Sequence, residues 1–366
     1  MAKRLPIVTV ADIHLRNDDS YGVYDESGLN DFLTIRCNAA KQAIKCARSL
    51  GAHFIVAGDF LDSRLVDSPT LYYSSKLIKM MCKLRFVILM EGNHGYDDKR
   101  GTFSVIAHWK HLATDNVRIV TYPKIECKDG IGYVCIPALS SYDGLGKLIS
   151  KLYDELKGVH TKVLILHGPI VGAKFESGKE NTSGISDKII KTFSRKFDYV
   201  VCGDLHRYQK VYKDNVWYCG ANIQSSLKDK GQPRGFQIIH SNGVVQFKES
   251  NAPKFYELVW EPGVKKSRLL KEPDERFKNA IVVVKLIGTS AVIDKIDREK
   301  IKSNLVEAGA LRVFIDTKTN DTSKSRVIID KDMTYDEMIK RFCEHKKASL
   351  PADLPDVVRK GVSYLK

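Results

Sequence analysis

Short, almost wholly apolar runs recur through the first two-thirds of the chain, and each ends abruptly in glycine or a polar residue. Residues 7–11, 53–57, 85–90, 162–166 and 199–202 are such runs. Runs this short and this uniformly apolar predict strands buried on both faces. Between them, residues 29–50 carry apolar positions at helical spacing and stop at Gly51, a residue suited to the turn past a helix end. Residues 68–84 predict a second helix, with Ser68 as N-cap and Pro69 at the first helical position. Further helices are predicted over 103–113, 145–156 and 185–193. Shorter strands are predicted over 117–122 and 132–137, read as an antiparallel pair, and over 216–219, 235–240 and 244–248. Residues 16–28 and 170–184 are polar and loop-like. Strands alternating with helices predict an α/β core with a parallel component, and the later short strands predict a second sheet facing the first.

The pattern changes near residues 251–275, where prolines and charges cluster and a domain boundary is expected. Beyond it a strand (279–287), a helix (297–308) and a strand (311–316) predict a small α/β unit. Two helices, 334–347 and 353–364, follow, separated by Leu350-Pro351.

Composition narrows the class. The chain has 366 residues, 43% hydrophobic and 28% charged, as expected of a globular protein with a large core. No apolar run approaches the ~20 residues of a membrane span. The basic start, MAKRLPIVTVADIH, has no small-residue cleavage site and is not read as a signal peptide. The eight cysteines form no CxxC pair and read as reduced core thiols of a cytoplasmic protein. The net charge of +15 is spread over both parts of the chain, +9 up to residue 253 and +6 after it. A charge spread in this way is either general solubility charge or a surface suited to a polyanion.

The chemistry is written at the strand ends. The five runs deliver Asp12 and His14, Asp59, Asn93 and His94, His167, and Asp204 and His206. In a parallel sheet the carboxyl ends lie along one edge, where ligands bind. Carboxylate, imidazole and amide groups converging there suit divalent ions such as Mn²⁺, Mg²⁺ or Zn²⁺, and no thiol is among them. So many ligand-type groups exceed what one ion needs, and two ions sharing a carboxylate fit better. His108 and His111 stand three apart in a predicted helix and read as ordinary surface or core histidines. His53, His160, His240 and His345 have no partners in sequence and are taken as structural.

In order and spacing, Asp12-x-His14, Gly58-Asp59, Gly92-Asn93-His94, His167 and Gly203-x-x-His206 resemble the calcineurin-like metallophosphoesterase superfamily. Further on, Tyr218-Cys219-Gly220-Ala221-Asn222-Ile223-Gln224 followed by Arg234-Gly235-Phe236 resembles the SbcD-type nuclease subunits of DNA double-strand-break repair and recombination complexes, in a bacterial or phage version. The resemblance implies a two-sheet α/β/β/α metallophosphoesterase sandwich with a small C-terminal α+β capping domain and terminal helices. It implies a nuclease domain over 1–255, a DNA-capping domain over 275–332 and a helical tail over 333–366 that grips a coiled-coil ABC-type ATPase. It also implies a homodimer paired through the helices at 29–50 and 68–84, in the cytoplasm, or the host cytoplasm if phage-encoded. One metal would take Asp12, His14 and His206; the other Asn93, His167 and the residue at 204; Asp59 would bridge them. His94 would face the phosphate and protonate the leaving oxygen or steady the transition state. Arg207, Tyr208 and Lys174 are candidates for substrate contact.

The chain departs from the resembled pattern twice. The family has histidine where Asp204 stands and an acidic residue where Gly95 stands. Asp204 makes the site's carboxylate charge −3 (Asp12, Asp59, Asp204) and favours hard ions, Mn²⁺ first and Mg²⁺ second. Asp97 or Asp98 is expected to substitute for the acid missing at 95. The expected activity is that of a Mn²⁺-dependent DNA exonuclease/endonuclease in an ATPase–nuclease complex. Its rivals are a stand-alone metallophosphoesterase acting on small phosphoesters or phosphoproteins, and a DNA-binding scaffold with a weakened site.

Overall fold

A computed structural model describes residues 5–96, 104–212, 214–261 and 275–320. The strands are β1 (Ile7–Val10), β2 (His53–Ala57), β3 (Phe86–Met90), β4 (Val117–Val120), β5 (Lys124–Lys128), β6 (Ile131–Ile136), β7 (Thr161–His167), β8 (Tyr199–Gly203), β9 (Gln209–Lys210), β10 (Val216–Tyr218), β11 (Gly235–Ile239), β12 (Val245–Glu249), β13 (Phe255–Trp260), β14 (Ile281–Gly288) and β15 (Arg312–Thr319). The helices are α1 (Asp31–Leu50), α2 (Ser68–Met81), α3 (Leu145–Asp154), α4 (Asp187–Phe193), α5 (Ser290–Ile293) and α6 (Arg298–Glu307).

Two six-stranded sheets carry the fold, in the orders β12-β11-β1-β2-β3-β4 and β5-β6-β7-β8-β10-β9. Strands β1 to β4 run parallel, and so do β6, β7, β8 and β10. The apolar runs are explained by burial on both faces. In β2, Phe54 and Val56 pack outward with α1 and α2, while Ile55 and Ala57 join the core between the sheets. In β7, Leu164 and Leu166 pack with α3 and α4, while Val163 and Ile165 face the other sheet. The layers are therefore α/β/β/α, as expected. His167 continues the inward parity of Val163 and Ile165, which aims a polar group into the seam between the sheets.

Several local expectations needed correction. Helix α2 is capped by Asp67, whose carboxylate accepts from Thr70 N at 2.9 Å; Ser68 is already helical. The segment expected as a helix over 103–113 is a 3-10 turn, Val105–His111, burying Ile106 and Trp109 at a spacing of three. Strands β4 and β6 are not partners: β4 runs parallel to β3 in one sheet and β6 parallel to β7 in the other. The antiparallel partner of β6 is β5, which sequence reading missed because its side chains are half-buried and mixed. Strand β13 lies inside the stretch expected as a linker.

The chain divides into two compact units: residues 1–259, 265–285 and 297–316, and residues 260–264, 286–296 and 317–366. The first unit thus takes in α6 and most of the small α/β element expected after residue 275. Strands β13, β14 and β15 form a three-stranded sheet in that order. The second unit's described part holds α5. The helices expected at 334–347 and 353–364 lie outside the described residues. Among the described residues no helix is long and apolar enough to cross a membrane.

The seam between the sheets bears the load of the fold. Ile165 is fully buried there. Ile165→Ala is expected to cost about 2–5 kcal/mol through lost transfer energy and a residual cavity, read by chemical denaturation.

Candidate active site

The carboxyl ends of β1, β2 and β3 in one sheet and β7 and β8 in the other meet at one place. All eight of the strand-end residues expected to act together are brought there or to its rim. Asp12, His14, Asp59 and His167 are buried, while Asn93 and His94 stand exposed at the mouth. Asp59 sits at the centre. Its Oδ2 is 3.3 Å from His167 Nε2, 3.8 Å from His14 Nε2 and 4.0 Å from His94 Nε2. On one side His14 Nε2 and His206 Nε2 approach to 3.0 Å. On the other, His167 Nε2 lies 2.9 Å from Asn93 Oδ1 and 4.0 Å from Asp204 Oδ1.

The backbone is bent to achieve this. Asp12, His14, Asp59 and Asp204 all have positive φ, at 51°, 48°, 46° and 99°. Among the described residues only two other non-glycine residues do so, Asp129 and Asn279. Left-handed backbone costs an L-residue roughly 1–2 kcal/mol, and such strain collects at functional sites. Backbone bonds hold the bends: Asp12 N donates to Gly58 O, His14 N to Asp59 O and Leu15 N to Phe60 O. Gly58 combines φ +101° with a close approach, since a Cβ there would lie 1.8 Å from His167 Nδ1.

Hydrogen bonds fix which ring nitrogens are free. His167 Nδ1 is 2.8 Å from Ala57 O and His94 Nδ1 is 2.9 Å from Asp62 O. A carbonyl only accepts, so in both rings Nδ1 carries hydrogen and a neutral ring presents the Nε2 lone pair. His14 Nδ1 stands 2.9 Å from Asp62 Oδ1, a close pair outside hydrogen-bond geometry, with its Nε2 toward Asp59 and His206.

The electrostatics call for cations. Burial raises the Asp12 carboxyl well above the usual range, and the charges of Asp59 and Asp204 add to this against the pull of His167. Burial raises Asp204 likewise. Asp59 is held low, because the charges of His167, His14 and His94 outweigh its burial. For His167 burial acts downward, but Asp59 overrides it and pushes the ring up to about 10. His206 is pushed down to about 3 by burial and by the charges of His14 and Arg234, so it is neutral and free to donate its lone pair. Asp12 Oδ1 accepts from Asp204 N at 3.0 Å, whereas Oδ2 is buried with no hydrogen-bond partner among the described residues. A buried orphan carboxylate oxygen beside two converging imidazole nitrogens is what a cation site offers. His14 Nε2 and His206 Nε2, 3.0 Å apart, and an oxygen of Asp12 lie close enough together to reach one ion. Carboxylate, imidazole and amide donors on both sides of Asp59 fit a pair of divalent ions.

The supporting groups were not visible in the sequence. Asp62, held down at about 2 because its interactions with His14 and Arg16 outweigh burial, links His14 to a charged chain. Arg16 Nη1 is 3.0 Å from Asp62 Oδ2, Arg16 Nη2 is 3.2 Å from Asp19 Oδ2, and the buried Arg36 completes the chain at 3.1 Å from Asp19 Oδ2. Arg234, buried and paired with Asp229, donates to the carbonyl of His206. Tyr218 Oη donates to Gly168 O at 2.7 Å and accepts from Ile170 N at 2.9 Å, anchoring the turn after His167. Tyr218 and Arg234, from the conspicuous 218–224 and 234–236 stretches, thus brace the neighbouring strand ends.

The substrate-contact candidates fare unevenly. Arg207 is half-exposed. Lys174 is exposed and its backbone is clamped at both N and O by the Gln209 side chain, at 2.8 and 2.7 Å. Tyr208 is not a free stacking face. It packs on Trp217 (centroids 5.5 Å, planes 13° apart) and Phe247 (4.0 Å, 24°), which joins the two sheets at this edge. Glu176, on the same loop as Lys174, brings its Oε1 to 4.0 Å from His206 Nδ1.

The layers and the donor set define a metal-dependent hydrolase of the two-sheet kind. Residues 5–208 match the calcineurin-like phosphoesterase family, more than half of the chain, and the chain belongs to that family. Solved structures resemble it at low identity. A Staphylococcus aureus protein named for 5′-nucleotidase activity is 15% identical over 68% of this chain and 53% of that one, with a TM-score of 0.40. A dimetal phosphatase from Danio rerio is 8% identical over 65% and 93%, with a TM-score of 0.40. GAP50 of Plasmodium is 12% identical over 68% and 85%, with a TM-score of 0.37. The chain spans about half the length of the Staphylococcus protein.

The close approach at Gly58 gives a direct test. Gly58→Ala is expected to displace His167 and abolish at least one Mn²⁺-binding step in a calorimetric titration. Gly51→Ala, at a helix end with φ +58° and open space around its Cα, should cost only about 1 kcal/mol and leave Mn²⁺ binding intact.

Proposed function

We propose that the chain is a Mn²⁺-dependent DNA exonuclease/endonuclease, the nuclease subunit of an ATPase–nuclease repair or recombination complex. The observation that carries the reading is the position of Asp59, whose one carboxylate is within 4.0 Å of imidazoles on both sides of the site. Asp12, His14 and His206 would hold one ion with Asp59, and Asn93, His167 and Asp204 the other. Two such ions neutralise phosphodiester oxygens and make water acidic enough to supply the nucleophile near neutral pH. The donor set is all oxygen and nitrogen with three carboxylates, which favours Mn²⁺ or Mg²⁺ over softer ions.

His94 has a separate task. Its Nδ1 donates to Asp62 O, its backbone N donates to Asp59 Oδ1 at 3.1 Å, and 42% of its side chain is exposed. On this reading His94 Nε2, at the mouth, gives a proton to the leaving oxygen. The excess of positive charge, +15, supports a polyanionic substrate. Arg207 and the loop bearing Lys174 are assigned to the backbone of the nucleic acid, and Tyr208 to holding the platform beneath them. The homodimer and the coiled-coil ABC-type ATPase partner belong to the same reading and rest on the family resemblance; the cytoplasmic location rests on it and on the cysteines read as reduced core thiols.

Purified protein with Mn²⁺ should degrade single- or double-stranded DNA. His94→Ala should lower kcat by about 10²–10⁴-fold with Mn²⁺ binding retained, and Asp59→Ala should lose both activity and ion binding. Fast turnover of a small phosphodiester by a chain that does not bind DNA would replace this reading with that of a small-phosphoester hydrolase. Asp204→His should keep two ions with a changed metal preference, whereas Asp204→Ala should lose the second; full activity and two ions in Asp204→Ala would exclude Asp204 as a ligand.

A further inference from the structure

Glu91 follows β3 immediately and is 1% exposed, a carboxylate buried just before the turn that carries Asn93 and His94. Its Oε1 accepts from Gly92 N at 3.1 Å. Its Oε2 accepts from the Ser104 hydroxyl and, at 3.4 Å, from Ile106 N. One side chain therefore ties the departing limb of this excursion to the returning one. The limbs also meet through backbone: Val105 N donates to Gly95 O at 2.9 Å, and Tyr96 pairs with Ser104.

Gly95 explains the arrangement. Its φ does not lie in the left-handed region, so backbone conformation does not demand glycine there. Space does: a Cβ on residue 95 would stand 2.3 Å from Glu91 Oε1, 2.6 Å from Cδ and 2.7 Å from Oε2. The Glu91 carboxylate fills the volume into which a side chain at 95 would project. By covalent geometry an aspartate's oxygens lie about 2.4 Å from its own Cβ, close to the distances of the Glu91 oxygens from that same point. An acid supplied from position 95 would reach the donors that Glu91 now serves.

We propose that Glu91 is the positioning residue for the Asn93–His94 turn, and that it supplies from the strand end the carboxylate for which Gly95 leaves room. Asp97 and Asp98, the substitutes expected from sequence, lie outside the described residues, and Glu91 fills this place without them. Removing the carboxylate strands the buried donors of Gly92 and Ile106, and a shift of the turn by about 1 Å costs on the order of 10² in rate. The proposal rests on the metallophosphoesterase reading of the site.

The test is a four-member set in the full-length chain: wild type, Glu91→Ala, Gly95→Asp, and the two together. Metal-free protein is titrated with Mn²⁺ by calorimetry, with Tm and DNA hydrolysis measured alongside. Each single variant should weaken at least one Mn²⁺-binding step by about tenfold or more and lower kcat more than it changes KM. The double variant should recover both. Wild-type Mn²⁺ binding in Glu91→Ala overturns the proposal. So does a double variant with wild-type Tm that binds Mn²⁺ no better than Glu91→Ala. Should Glu91→Ala not fold, Glu91→Gln keeps the shape but turns an amide N–H₂ toward a donor; unchanged Mn²⁺ binding in it overturns the proposal equally. A wild-type chain that binds Mn²⁺ but leaves DNA intact sinks the nuclease reading alone, and the titration still decides the role of Glu91.

Discussion

Two buried carboxylates, the half-buried Asp204 and three imidazoles crowded into the seam between two sheets form a set of charges that protein alone does not balance. Asp12 keeps an oxygen with no hydrogen-bond partner among the described residues, and Asp12 and Asp204 are both driven toward their neutral forms. Everything nearby holds this set together against its own repulsion. Four of its members sit in left-handed backbone, and cross-strand bonds from Asp12 N, His14 N and Asp204 N prevent those bends from relaxing. A dication reverses the local logic, since it favours each carboxylate in its charged form and each imidazole in its neutral form. Much of the strain visible here is therefore strain that ion binding would offset.

The strand ends were legible for a reason rooted in the fold. Strands buried on both faces leave few polar residues in their interiors (Thr9 is the exception in β1), so the polar residues that follow each run mark the exit from the core. That is how Asp12, Asp59, Asn93, His167 and Asp204 could be found without knowing the pairing. The same rule hides anything that does not alternate with an apolar run. Arg36 occupies a core-facing position of α1, yet it is buried against Asp19 and Ile13 O; a helical apolar pattern interrupted by arginine reads as surface. Glu91 reads as the start of a loop, because only the structure shows Gly92, Ser104 and Ile106 turned toward it.

Strands β5 and β13 were missed for the opposite reason. Both are mixed in polarity and only partly buried, so period-two alternation is diluted by charged residues. The pairing error between β4 and β6 has a topological origin. Short neighbouring strands usually pair, but here the chain leaves one sheet after β4 and enters the other through β5, a change that local pattern does not record.

The two sides of the site are not equivalent. On the side of Asp12 and His14, exposure is 2% and 5%, His14 is braced by Asp62, and the carbonyl of His206 is braced by Arg234. On the other side His167 is fully buried, but its companions are open: Asn93 is exposed and Asp204 has 20% of its side chain in solvent. Side chains already immobilised lose less entropy on binding, so Asp12, His14, Asp59 and His167 form the prepared part of the site, while Asn93, Asp204 and His206, whose side chain is 34% exposed, form the part that orders on binding. Asn93, one of the open donors, shares its turn with His94, the group assigned to proton donation. A site built this way keeps its buried donors fixed and leaves its open ones responsive to whatever orders that turn, which is why, on the proposal made for Glu91, the packing behind Asn93 and His94 would bear on catalysis although Glu91 itself does not face the substrate.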